Sequence, residues 1–146
     1  MVICCDTSFL FSLYGSDVHS ARAVAWVTGL TSSIAITPLT QFEFGNALRL
    51  GEFRGLLKSA AVAHHWAMFE SAIAQRRIVV EVCNLADVVS EANRLSATHT
   101  AHAGHRAFDI LHVAAALKLG ATEFLTFDQN QKKLAQAERL KTPLLR

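Results

Sequence analysis

Four acidic residues, Asp6, Glu43, Asp109 and Asp128, stand at junctions where their carboxylates could work together. Asp6 directly follows the apolar run Val2 to Cys5, and Asp128 follows Phe127 at the end of another β-rich run. Glu43 lies seven residues beyond Ile36, in the first turns of a helical pattern, and Asp109 opens the helical pattern that leads into the last β-rich run. Carboxylates brought together repel one another and lose hydration, so a converged set calls for a cation or a raised pKa. Magnesium and manganese take oxygen ligands, keep several waters and combine a few carboxylates with substrate phosphate. An ion held this way polarises a phosphoryl oxygen and lowers the pKa of a bound water, so the expected chemistry is metal-assisted phosphodiester hydrolysis. Each acid also has a structural explanation. Asp6 and Asp128 would cap the helices that follow them, Asp109 would favour the positive end of its own helix, and Thr40-Gln41-Phe42-Glu43 reads as a capping box.

The elements that must position these acids alternate. Val2 to Cys5, Ile34 to Thr37, Ile78 to Val82 and Glu123 to Phe127 are short β-rich runs. Between them the pattern predicts helices over Ser8 to Tyr14, Ala21 to Val27, Thr40 to Leu50, Leu56 to Gln75, Asp87 to Ala97 and Phe108 to Leu119, with a last one over Gln131 to Leu140. Gly51 to Gly55 reads as a helix–helix turn. No Asn-Gly or Asp-Gly hairpin signal occurs. The expected architecture is α/β, a three-layer α/β/α single domain spanning residues 1–146 with a mainly parallel central sheet. Such sheets bind ligands outside the carboxyl ends of their strands, where all four acids are expected.

A chain of 146 residues that is 51% apolar and 18% charged has material for a core and is too apolar for disorder. Ala23 to Phe42 lacks Asp, Glu, Lys and Arg, but interspersed Thr, Ser, Gly and Pro make it a poor membrane span. The N-terminus has no basic run and soon meets Asp6, which argues against a signal peptide and for the cytoplasm. Three cysteines with no C-x-x-C pair suggest buried thiols in strands, not a disulfide framework or zinc site. The net charge of +2 is weak. With the four acids set aside as a metal site, fourteen basic residues face eight acidic ones, a surface suited to a polyanion.

Four segments together resemble the PIN-domain nucleases, in particular the VapC-type toxins of bacterial toxin–antitoxin pairs. They are Val2-Ile-Cys-Cys-Asp6-Thr7-Ser8, Thr40-Gln-Phe-Glu43-Phe-Gly-Asn-Ala-Leu48, Arg106-Ala-Phe-Asp109-Ile-Leu-His112-Val-Ala-Ala-Ala-Leu117, and Leu125-Thr126-Phe127-Asp128. The likeness covers essentially the whole chain. It implies a magnesium- or manganese-dependent endoribonuclease in which Asp6, Glu43, Asp109 and Asp128 match the family's acidic positions, Asp6 and Asp109 as central metal ligands. Thr7 or Ser8, and Thr126, match hydroxyl positions that orient the acids or a water. The implied partners are an RNA substrate (tRNA, rRNA or mRNA), an antitoxin protein and a second copy in a homodimer. The alternatives are a non-catalytic α/β binding module, or a PIN-type housekeeping RNA-processing or DNA nuclease. Asn130 stands where some relatives have a further acid, and reads as the N-cap of the last helix.

Other residues invite a functional reading. His99, His102 and His105 repeat every three residues, but Gly104 argues for a mobile loop near the site entrance. His112, one turn after Asp109, is expected to orient that carboxylate. Arg106 would pair with Asp109 or with phosphate. Arg49, Arg54, Lys58, Arg76 and Arg77 read as solvated charge or as contacts to an RNA backbone. Trp26 and Trp66 are expected to pack in the core or an interface.

Overall fold

The computed structural model describes residues 1–144. Its elements in chain order are β1 (Ile3–Cys5), α1 (Thr7–Tyr14), α2 (Ser20–Thr28), β2 (Ile34–Ile36), α3 (Pro38–Phe53), α4 (Ser59–Ala74), β3 (Ile78–Val80) and α5 (Leu85–Leu95). A π-turn (Ser96–Thr100) and the one-turn α6 (Ala101–Ala103) follow, then α7 (Ala107–Lys118), β4 (Glu123–Leu125) and α8 (Gln129–Ala137). The four strands form one parallel sheet in the order β3-β2-β1-β4, with Ile3 opposite both Ile34 and Glu123. The predicted α/β/α layering is what the structure shows.

Alternation along β1 feeds two cores. Ile3 and Cys5 point to one face, where Phe9, Leu10, Phe44, Leu48 and Phe69 of α1, α3 and α4 pack. Cys4 points to the other, against Val88, Leu95, Val113, Ala114, Phe124 and Leu134 of α5, α7, β4 and α8. A centrally placed strand buried on both faces explains why this run is wholly apolar. Cys4 and Cys5 are buried as expected, and burial pushes the Cys4 thiol up to about 12. Cys83 lies beyond β3 and is only half-buried. No helix among the described residues is long and apolar enough to cross a membrane.

Three expectations are corrected. Helix α3 begins with Pro38 at its first position and runs through Gly51 to Phe53, so Gly51 is helical and the turn falls later. A Cβ on Gly51 would stand 2.9 Å from Leu57 Cδ1, so its bareness serves close packing of the turn on the helix. The histidine-rich segment is not a loop. Its backbone continues from α5 through the π-turn to Gly104, whose left-handed conformation (φ 68°) ends it. Asn130 lies inside α8, and Asp128 is the cap.

Candidate active site

With β1 flanked by β2 on one side and β4 on the other, chain order reverses at β1, and the carboxyl edge there is the place for a ligand. Asp6 ends β1 as the N-cap of α1, its Oδ1 accepting the Phe9 N–H at 2.9 Å. The Ser8 hydroxyl lies 2.8 Å from both carboxylate oxygens, and Thr126 Oγ1 donates to Oδ2 at 2.6 Å. Asp6 is only 2% exposed. Burial pushes its carboxyl up to about 6, although the bonds from Thr126, Phe9 and Ser8 pull the other way.

Thr126 joins the two strand ends. Its Oγ1 also accepts the Asp128 N–H at 3.0 Å. Asp128 then caps α8 by accepting the Gln131 N–H at 2.8 Å, and the buried Gln131 donates from Nε2 to the main-chain carbonyl of Asp109 at 3.1 Å. One hydrogen-bonded path thus runs from β1 through β4 and α8 to α7. Sequence reasoning did not single out Gln131, because nothing in its type or spacing distinguishes it from a surface glutamine.

Asp109 stands in the first turn of α7, as expected, with Arg106 Nε donating to its Oδ2 at 3.3 Å. Burial raises its pKa, Arg106 opposes the rise, and the nearby charge of Asp128 adds to it. Glu43 sits on α3 with Oε1 3.1 Å from His112 Nε2. The Nδ1 of that ring faces Thr40 Oγ1 at 3.3 Å, and Nε2 is 3.5 Å from Thr7 Oγ1. Burial would raise Glu43, but hydrogen bonds with His112 and Thr7 prevail and hold it below the usual carboxylate range. His112 therefore braces Glu43, not Asp109. The capping box fails for a related reason: Thr37 is the N-cap of α3, which leaves Thr40 inside the helix with its hydroxyl facing His112.

The three histidines part company. His99 pairs with Glu138 at 2.7 Å, His102 is exposed, and His105 is buried with no partner for Nδ1 among the described residues. Burial and the charge of His99 lower the His105 pKa, while the charges of Asp109 and Asp128 oppose the fall. Trp66 packs against Phe44 and Phe69, with Arg49 over its ring, and Trp26 meets Phe9 edge-on. Two clefts open beside the acids. One, of about 400 Å³, reaches Ser8, Asp17, His19, Phe127 and Asp128; the other, of about 320 Å³, reaches Glu43, Asn46, Arg106, Phe108 and Asp109. Thr7 and Ala47 line both.

The PIN domain family matches residues 3–137 of this sequence. This chain belongs to the PIN-domain family. PIN domains are nucleases, and solved structures agree in fold. VapC20 of Mycobacterium tuberculosis, described as a toxin cleaving the sarcin–ricin loop, superposes with a TM-score of 0.68 at 20% identity, over 90% of this chain and 93% of that one. PAE2754 of Pyrobaculum aerophilum gives 0.61 at 21% identity over 93% and 86% of the two chains, and FitAcB of Neisseria gonorrhoeae 0.62 at 17% over 97% and 96%. No curated protein matches by sequence.

For a PIN domain the question is whether these residues suit a divalent cation. Among the described residues, no three Asp, Glu, His or Cys side chains stand together as a ready-made ion cage. The donor chemistry nevertheless fits. Every candidate ligand is a carboxylate, Asp6 and Asp109 are both raised by lost hydration, and Asp109 is raised further by Asp128, which is the electrostatic state that a cation relieves. Three of the four are meanwhile held by side chains, Asp6 by the Ser8 and Thr126 hydroxyls, Asp109 by Arg106 and Glu43 by His112.

Proposed function

We propose that this PIN domain is a magnesium- or manganese-dependent endoribonuclease, acting in the cytoplasm as the toxin of a toxin–antitoxin pair, with residues 1–146 forming one nuclease domain. The observation that carries the reading is a buried Asp6 and a half-buried Asp109, both raised by lost hydration, with two open clefts that reach Asp128, Glu43 and Asp109. Asp6, Glu43, Asp109 and Asp128 would hold the metal. A bound ion would neutralise developing charge on the phosphoryl group and make a water nucleophilic near neutral pH. Ser8 and Thr126 fix the Asp6 carboxylate, Thr7 and His112 fix Glu43, and Arg106 is exposed enough to reach a phosphate.

RNA as substrate and an antitoxin as partner are supported by the fold shared with VapC20. Exposed Phe42, Phe53 and Leu56, on and just after α3, support docking of an antitoxin or a second copy in a homodimer. The test is cleavage of total cellular RNA with manganese or magnesium, with excess chelator, and with Asp6→Asn and Asp109→Asn. Discrete metal-dependent fragments that both variants lose are expected; full activity in chelator rejects the proposal.

A second reading, a non-catalytic module, draws support from Asp6 and Asp128, which do cap α1 and α8. It predicts no rise in Tm on adding manganese, whereas a metal-binding native state must gain stability by mass action.

A further inference from the structure

Beside the acids, the larger cleft has chemistry that metal binding does not use. Its wall is aromatic. The His19 imidazole lies parallel to the Phe127 ring, at 6° and 4.5 Å between centroids, and Phe127 stacks on Phe9 at 24° and 6.1 Å. His19 and Phe127 both line the cleft, so this run of rings ends at its surface. Opposite chemistry comes from Asp17. Its Oδ1 accepts the His19 N–H at 2.8 Å and its Oδ2 accepts the Ser12 hydroxyl at 2.8 Å, with Ser12 itself 1% exposed. Asp17 is thereby fixed in direction while remaining exposed, and an ionised carboxylate retains acceptor capacity beyond these bonds.

We infer that this cleft seats one unpaired nucleobase of the RNA beside the cleavage site, guanine ahead of the other bases, with His19 as the stacking surface and Asp17 as the edge reader. The inference rests on the proposed ribonuclease activity. The volume, about 400 Å³, suits a small planar ligand. The cleft shares Ser8 and Asp128 with the acidic site and Thr7 with the second cleft, so a base placed here carries its backbone across the carboxylates. Stacking holds any base, whereas the carboxylate selects among them. Asp17 is acceptor-only. Guanine offers it two N–H donors side by side, while the single N–H of uracil is flanked by two carbonyl oxygens that a carboxylate repels.

The test uses the full chain carrying Asp6→Asn, with manganese, and four fluorescent RNA decamers: decauridine, and decauridine with one central guanosine, adenosine or cytidine. Anisotropy should show the guanosine decamer binding about tenfold tighter than decauridine. Adding Asp17→Asn should erase that difference, because the amide presents a donor; the turn is retained, since Asn still accepts the His19 N–H and the Ser12 hydroxyl can accept from the amide. His19→Ala should weaken all four decamers by about tenfold, the scale of one lost base stack, and His19→Phe should restore them. Unfolding curves of each variant exclude a folding defect. Guanosine preference unchanged by Asp17→Asn, or affinity within twofold after His19→Ala, overturns the inference while the nuclease reading stands on metal-dependent cleavage by the unsubstituted chain. Failure of that chain to bind or cut any RNA overturns both.

Discussion

Asp6 at a strand end and Asp109 at a helix start are held in opposite ways. Asp6 is 2% exposed and takes its bonds from a backbone amide and two hydroxyls, the same bonds that cap α1 and tie β1 to β4. Asp109 takes its bond from Arg106, whose side chain is 80% exposed, and Glu43 leans on His112. The inner acids, Asp6 and Asp128, are therefore parts of the fold, each capping a helix and both bonded to Thr126. The outer acids, Asp109 and Glu43, are held by the side chains of Arg106 and His112. In the proposed metal site this division would keep a fixed reference at the strand ends and leave adjustment to the helices.

The largest expected effects test both halves together. Asp6→Asn and Asp109→Asn should each lower RNA cleavage by about a hundredfold or more, the scale of losing one charge-stabilising group. Stability should separate them. The Asp6 carboxyl sits at about 6 in the fold against an ordinary 3.8, so between those values the folded chain binds a proton that the unfolded chain does not. Stability of the unsubstituted protein therefore falls as pH rises through this window, by roughly 3 kcal/mol at most, and the deficit persists above it. Asp6→Asn removes that term, so urea melts should show the variant gaining on the parent between pH 4 and pH 7.5. A difference independent of pH would break the distinction drawn for Asp6. Manganese should raise the parent's Tm at pH 7.5, and less so below pH 6, where Asp6 takes up its proton.

Next in size is the strap between the inner acids. Thr126→Val removes the donor to Asp6 Oδ2 and the acceptor for the Asp128 N–H. A loss of about 1–3 kcal/mol in urea unfolding is expected, because buried partners are left unpaired. The same change removes a bond that lowers the Asp6 pKa, so manganese binding should require higher pH. His112→Ala is the outer counterpart. It frees Glu43 and should reduce cleavage about tenfold, with His112→Gln recovering part of it through a remaining N–H; equal activity in both variants would remove His112 from the positioning of Glu43.

The inner half was also the more legible in sequence. Asp6 and Asp128 each follow a short apolar run, and a strand that stops at an acid followed by a helix announces both a cap and a sheet edge. The layered α/β order was legible for the same reason, since each strand is a short, mainly apolar run between helices. What the sequence hid was contact between distant side chains. His112 and Glu43 are 69 positions apart, and one helical turn of spacing pointed instead to Asp109. Pro38 moved the start of α3 ahead of the capping box, a case of proline's fixed φ suiting the first helical position. The His99 to His105 segment looked like a loop because Gly104 was read as a break throughout, when its left-handed φ only terminates the π-turn and α6. Asp17 and His19 drew no attention, since the ring that His19 stacks on, Phe127, is distant in sequence.

Arg106→Ala should have the smallest effect and draws the finest line within the outer half. The side chain is too exposed for its ion pair to add measurably to stability, and Tm should move by less than about 1 °C. Its electrostatic influence on Asp109 is another matter, because Arg106 opposes the rise that burial and Asp128 impose. Removing it favours the protonated form, so the acid limb of the pH–activity profile should move to higher pH, with cleavage at pH 8 reduced only a few-fold. If Arg106 instead serves mainly to hold phosphate, KM rises and the limb stays where it was. The two outcomes differ in which parameter moves, and the first is expected because the guanidinium already lies 3.3 Å from Asp109 Oδ2 before any RNA is bound.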